Sequence, residues 1–194
     1  MSVVDVSALA SGSESAASDS EVALIERAKR SREAFAVLYR QNYHAIAGYV
    51  FRRTGNVHAT EDLVADVFLT AMRQLPRYRC RGVPLRYWLY RVATHAANRW
   101  ARRQRRQAHE PLRDALAADT PPPALASEEN AEQERAQRAM LALSSKHQTA
   151  LSLHYLEGLS VEEIAAVVGC RVGTVKSRLA RARDALREKL QPRR

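Results

Sequence analysis

The side chains in this sequence that are best placed to do chemistry bind rather than catalyse. Thr174, Lys176, Ser177, Arg178 and Arg181 recur within "RVGTVKSRLARAR" (171–183), which opens on Arg171. Cations neutralise phosphates and pair with guanine O6 and N7, while Ser and Thr reach base edges. A second set lies upstream in "YRCRGVPLRYWLYRVATHAANRWARRQRR" (78–106), where Tyr78, Tyr87, Trp88, Tyr90 and Trp100 interleave with arginines. Aromatic faces stack on unpaired bases and arginine follows the backbone, so this composition suits single-stranded DNA. Trp88, Leu89 and Val92 also read as core, with the arginines solvated; the two uses are compatible. No Gly-rich phosphate loop, nucleophile elbow or paired-carboxylate site accompanies them. His44, His58, His95, His109, His147 and His154 lack metal-ligand spacing, so no metal and no cofactor is expected.

These side chains need helices to position them. Ser160 with Glu163 three residues on forms a capping box at the start of a helix. Val161, Ile164, Ala165 and Val168 then share one face, and Gly169 supplies a turn that accepts the left-handed conformation. The following helix repeats Val172, Val175, Leu179, Ala182 and Leu186 on its apolar side. Thr174, Ser177, Arg178 and Arg181 lie roughly opposite, with Lys176, Ala180 and Arg183 flanking. This is the spacing of a helix-turn-helix whose second helix enters the major groove. A plain helical hairpin with a solvated basic face is the competing reading, and cap, turn, spacing and charge all weigh against it.

The rest of the chain reads as helix and linker. The 194 residues carry a formal net charge of +10, which favours a polyanionic partner. Nearly all the positive charge is arginine, which suits phosphate and guanine edges or reflects a GC-rich genome equally well. Residues 1–19, rich in Ser and Ala, are expected to be a disordered tail. Helices are expected over 21–29, 32–53, 57–75 and 84–105 in a first domain (20–106), with Ser20 and Ser31 as N-caps. Pro121, Pro122 and Pro123 mark residues 107–127 as a linker, with one helical turn near 112–116. A second domain (128–194) holds helices over 129–143, 146–156, 161–168 and 172–190. The fold class is therefore all-α: two small helical domains joined by a Pro-containing linker, the second a helix-turn-helix domain. The two cysteines, Cys80 and Cys170, read as free thiols in a reducing cytoplasm. No apolar run reaches the ~20 residues that span a bilayer, so no membrane insertion is expected.

A helix-turn-helix alone does not separate one class of regulator from another, and the first domain carries the further signal. "EDLVADVFLTAMRQL" (61–75) sets Leu63, Val64, Val67, Phe68, Ala71 and Met72 on a broad apolar stripe, with Asp62, Asp66 and Leu69 along one edge. By pattern alone this is a core helix with solvated carboxylates. It also resembles the "DLVQEVF" helix of bacterial sigma factors of the extracytoplasmic-function (ECF) group, with Ala65 where Gln is usual. Residues 156–190 resemble that family's minus-35-reading part almost throughout, with Arg171 where proline is usual. The resemblance covers about residues 32–106 and 143–190.

That resemblance implies a sigma factor that binds core RNA polymerase and performs no catalysis itself. Asp62, Leu63, Asp66, Val67 and Phe68 would dock on the β′ clamp helices, with the β subunit as a further contact. Tyr78, Arg79, Arg81, Tyr87, Trp88, Arg91, Asn98 and Arg102 would recognise and melt the minus-10 element, with 79–85 as the loop that captures a flipped base. Arg171, Thr174, Lys176, Ser177, Arg178 and Arg181 would meet minus-35 duplex, and Ala180 would offer a small apolar contact. An anti-sigma factor is a further implied partner. Glu110, Asp114 and Asp119 fit a linker lying in a nucleic-acid channel until RNA displaces it. The alternatives are a helix-turn-helix regulator that is not a sigma subunit and a basic protein-interaction adaptor.

Overall fold

The computed structural model describes residues 19–80, 83–107 and 128–191. The described residues form eight α-helices in the order α1 (Asp19–Ala28), α2 (Arg32–Thr54), α3 (Val57–Gln74), α4 (Leu85–Gln107), α5 (Glu128–Leu141), α6 (Ser145–Leu151), α7 (Val161–Val168) and α8 (Val172–Leu190). A 3₁₀ turn, Leu75–Arg77, follows α3, and a π-helical turn, Ser152–Leu156, follows α6. The tail before residue 19 and the linker over 108–127 lie outside the described residues, as does the helical turn expected at 112–116.

Local chemistry explains most boundaries. The Ser31 hydroxyl accepts from the Ala34 amide at 3.1 Å and caps α2. Gly55 ends that helix at φ 63°, and Asn56 immediately caps α3 through its side-chain oxygen at 2.8 Å from the Ala59 amide. Ser20 is no cap: α1 starts one residue earlier, at Asp19. Pro84 precedes α4 rather than opening it. The capping box is complete, with Glu163 accepting from the Ser160 amide at 2.7 Å and Ser160 from the Glu163 amide at 3.2 Å. The largest departure is the helix expected over 146–156. It runs as α only to Leu151 and then widens, with the Glu157 amide bonded to the Ser152 carbonyl at 3.1 Å. No residue type in that stretch announces a wide turn.

Helices α2, α3 and α4 pack on one another, and α1 lies against α2. Leu38, Ile46, Tyr49, Leu63, Val67, Phe68, Leu89 and Ala93 fill their centre. Tyr49 and Tyr90 meet edge-on with centroids 5.4 Å apart, and the Tyr49 hydroxyl satisfies itself on Thr94 Oγ1 at 2.7 Å. In the second domain α6, α7 and α8 close around Leu153, Ile164, Val175, Leu179 and Ala182. Buried side chains from both domains belong to one continuous cluster. Helix α7 contacts both α8 and α4, so Val167 is buried where the helix-turn-helix spacing alone favours Val168.

Candidate nucleic-acid interface

The recognition helix is built from its buried side outward. Val175 (1% exposed), Leu179 and Ala182 lock α8 onto α6 and α7, which leaves Arg171, Lys176, Ser177, Ala180, Arg181 and Arg183 exposed. Gly169, at φ 72°, makes the tight turn between α7 and α8. Thr174 and Arg178 are half-buried at the margin. The Ser177 hydroxyl donates to the Thr174 carbonyl at 3.0 Å, and Arg178 Nη1 lies 3.7 Å from Cys170 Sγ. The predicted face is thus one continuous surface carrying hydroxyls and cations.

Arg171 is the N-cap of α8, with φ −70° and ψ 146°, and its side chain makes no capping bond. A guanidinium cannot accept from a backbone amide, so the first turn of α8 keeps a free donor. Arg171→Ser supplies an acceptor there and is expected to raise stability by about 1 kcal/mol in urea denaturation. The same change removes a cation beside the turn, so duplex affinity falls and its salt slope drops by about one. A variant that is no more stable than the parent would show that water already caps that turn adequately.

Helix α4 carries the second basic face. Arg79, Arg99, Arg102, Arg103, Arg105 and Arg106 are exposed. His95 is held below the ordinary histidine range, first by desolvation and then by Arg91, Arg99 and Arg102. Only the lesser, arginine-derived part of that depression reflects positive charge gathered along the helix. Tyr78 and Trp88 stack at 5.0 Å with their planes tilted by 41°, both half-buried. Burial pushes the Tyr78 hydroxyl up, and the Tyr90 hydroxyl up to about 12. Arg81 lies outside the described residues. Tyr87, Arg91 and Asn98 are half-buried, Tyr87 and Arg91 against the second domain and Asn98 against a residue of the first. Tyr87 donates to Glu163 Oε1 at 2.8 Å, Asn98 Oδ1 accepts from Arg53 at 2.8 Å, and the Arg91 guanidinium lies against the Gly169 turn.

The third predicted set divides in two. Asp62 and Asp66 are exposed, on an open groove shared with Ala65, Trp100 and Arg103. Leu63 (3% exposed), Val67 (0%) and Phe68 (5%) are core. They hold α3 in place, and Leu63 also lines that groove. Leu69 and Met72, at 45% and 42% exposed, supply the apolar surface beside the carboxylates instead. The residues that sequence reasoning missed are Arg52, Arg53, Gln148 and Glu157, which bond across the domains. Residues 53–56 read simply as a helix stop, and nothing in the sequence marks their distant partners. Among the described residues no three His, Cys, Asp or Glu side chains gather as a metal site, and no helix is long and apolar enough to cross a membrane.

Two basic faces on one all-α chain, one of them a helix-turn-helix, define a two-headed DNA-binding protein. Residues 38–107 match the Sigma-70 region 2 family and residues 133–186 match Sigma-70, region 4. The chain is 34% identical over 183 residues to the ECF RNA polymerase sigma-E factor of Escherichia coli (strain K12), covering 87% of this chain and 93% of that protein. It is 31% identical over 164 residues to RNA polymerase sigma factor YlaC of Bacillus subtilis, covering 83% and 94% respectively. Among solved structures, the sigma factor RpoE in complex with the anti-sigma factor NepR from Bartonella quintana superposes with a TM-score of 0.63 at 25% identity, covering 82% of this chain and 98% of that one. The chain belongs to the RNA polymerase sigma factors of the ECF group. Neither alternative, a stand-alone regulator or an adaptor, accounts for a region 2 match ahead of a region 4 match.

Proposed function

We propose that this sigma factor docks on core RNA polymerase through the exposed edge of α3, namely Asp62, Asp66, Leu69 and Met72. It reads minus-35 duplex with Arg171, Thr174, Lys176, Ser177, Arg178 and Arg181. It opens and holds the minus-10 element with Tyr78, Arg79, Arg81, Tyr87, Trp88, Arg91, Asn98 and Arg102. The observation that carries this reading is the pairing of an exposed hydroxyl-and-cation face on α8 with an aromatic and arginine-rich α4 on the same chain. Duplex reading needs a rigid helix in a groove, whereas melting needs stacking surfaces for unpaired bases. Polymerase makes the bonds; this chain selects where. An anti-sigma factor is a fitting regulator, as the Bartonella relative has one in its complex. The work is done where transcription is, in the cytoplasm.

Run-off transcription with purified core polymerase and a promoter library tests the proposal. The expected outcome is specific initiation that depends on this chain, from promoters sharing two spaced elements. Failure to direct initiation with any bacterial core enzyme tried overturns it.

A further inference from the structure

Helix α4 carries a histidine within its arginine stripe. Arg91, His95, Arg99 and Arg102 follow one another at intervals of four, four and three residues, so they fall within about 80° of arc on one side of the helix. His95, Arg99 and Arg102 are exposed, and Arg91 is half-buried beside the Gly169 turn. Among the described residues no hydrogen bond or ion pair holds His95, Arg99 or Arg102. Desolvation first, and then the three guanidinia, keep the imidazole below the ordinary histidine range. The acids on the helices packed against α4 are placed elsewhere. Glu163 of α7 is engaged by Tyr87 and the Ser160 amide, and Glu162 is exposed. Asp62 and Asp66 of α3 share the groove at Trp100. Of the cations on those helices, Arg53 of α2 bonds to Asn98 and Lys146 of α6 is exposed. The charges acting on His95 come from its own helix.

A stripe of arginine alone binds phosphate with an affinity that pH does not alter, because a guanidinium keeps its proton throughout. An imidazole on the same stripe behaves differently. While the stripe is empty, three guanidinia oppose its protonation. A phosphate settled among them brings a negative charge, which offsets that repulsion and offers an oxygen to an imidazolium N–H. The proton comes from solvent, and His95 then adds a cation to the contact. Its added affinity is complete below the imidazole's pKa in the free chain and is lost as pH rises through its pKa in the complex. DNA and proton favour one another by the same factor.

We propose that His95 is a phosphate-binding residue of the α4 stripe and takes up a proton as single-stranded DNA settles on Arg91, Arg99 and Arg102. This rests on the assignment of the α4 face to the minus-10 strand in the function proposed above. The two reading faces then differ in their response to pH. Helix α8 holds no histidine, so its arginine, lysine and hydroxyl contacts to duplex stay constant near neutrality. The grip of α4 on an opened strand strengthens as pH falls.

Fluorescence anisotropy with a mixed-sequence single-stranded oligodeoxynucleotide, at fixed ionic strength, tests this in the full-length chain. From about pH 8 to about pH 5.5 the parent's affinity is expected to rise about fivefold more than that of His95→Gln, because glutamine carries no charge at either end. The other histidines, among them His44, His58, His147 and His154, remain in the variant, so the difference belongs to His95. His95→Lys, charged throughout, is expected to share the flatter profile of His95→Gln but to bind more tightly at the alkaline end. At the acid end the salt slope should be steeper by about 0.7 in the parent than in His95→Gln, the value of one further phosphate neutralised on a single strand. Glutamine and lysine are both good helix formers at an exposed position, so circular dichroism should be unchanged. The ring-proton NMR signal of His95 follows the same event directly, and its titration midpoint should move up when the oligonucleotide saturates the chain. Parallel pH profiles for the parent and His95→Gln, or a midpoint that the oligonucleotide leaves in place, overturn the proposal. A His95-dependent profile alongside failed run-off transcription would leave His95 standing and remove the promoter-opening function, so the two readings fail separately. A chain that binds no oligonucleotide overturns both.

Discussion

Reversing both exposed carboxylates of α3, Asp62→Lys with Asp66→Lys, is expected to weaken binding to core RNA polymerase about a hundredfold while the chain stays folded. The two acids sit one helical turn apart on the open side of α3, flanked by exposed Leu69 and Met72. A docking surface of this composition pairs an apolar centre with charges that set orientation. Each reversal replaces an attraction by a repulsion, and two at about 1.5 kcal/mol each give about 3 kcal/mol, or a factor of about a hundred. Folding should survive because the buried stripe of α3, Leu63, Val64, Val67, Phe68 and Ala71, is untouched. Lysine also has a better helix propensity than aspartate, and both positions lie beyond the first turn. Fluorescence-anisotropy titration with core enzyme, alongside thermal melting, checks both halves. Unchanged affinity would move the docking surface off α3.

The second large effect is expected on duplex DNA. Lys176→Ala with Arg181→Ala should cost about a hundredfold in affinity for a minus-35 duplex taken from promoters selected in run-off assays. Both side chains are exposed on α8. A phosphate or guanine contact is worth about 1–3 kcal/mol, and the two cations, five residues apart, point about 140° from one another around the helix, so their contributions add. Alanine keeps the helix, and Val175, Leu179 and Ala182 still anchor it. The salt dependence separates the roles. A slope lowered by about two, with affinity lost uniformly across sequences, marks phosphate contacts; relaxed preference at one base pair marks a base contact. Retained affinity at matched salt would remove α8 as the reading helix.

The groups that join the two domains carry no signal in the sequence. The "RRTGN" stretch (52–56) carries a plain helix-stop signal, and the structure does end α2 at Gly55. The same stretch also supplies Arg52 and Arg53, the two cations that clasp the second domain. Tyr87 reads as part of a nucleic-acid face from its aromatic and arginine neighbours and Asn98 only through the family resemblance, yet their hydrogen bonds run to Glu163 and Arg53. Leu63, Val67 and Phe68 sit on the helix expected for docking, but periodicity places them on its buried side.

By itself the sequence determined the parts whose causes are local. Helix periods, the Ser31 cap, the Ser160–Glu163 box and the Gly169 turn each depend on residues within a few positions, so spacing was enough to place them, whereas the Asn56 cap was not anticipated and Ser20 lies inside α1. The exposure of Lys176 and Arg181 follows from the same arithmetic, because burying Val175, Leu179 and Ala182 leaves both outside the apolar stripe, one flanking it and one opposite. Tertiary structure alone decided what depends on partners far along the chain. It turned the helix after α6 into a π-helical turn ending at Glu157, and brought Glu157 to Arg52 and Tyr90. It also buried Val167 and set part of the arginine-rich side of α4 against the second domain, at Tyr87 and Arg91. The polar contacts among them join residues 67 to 105 positions apart through hydrogen bonds between side chains. Such pairings have no period and no neighbouring signal, so only the folded chain could reveal them.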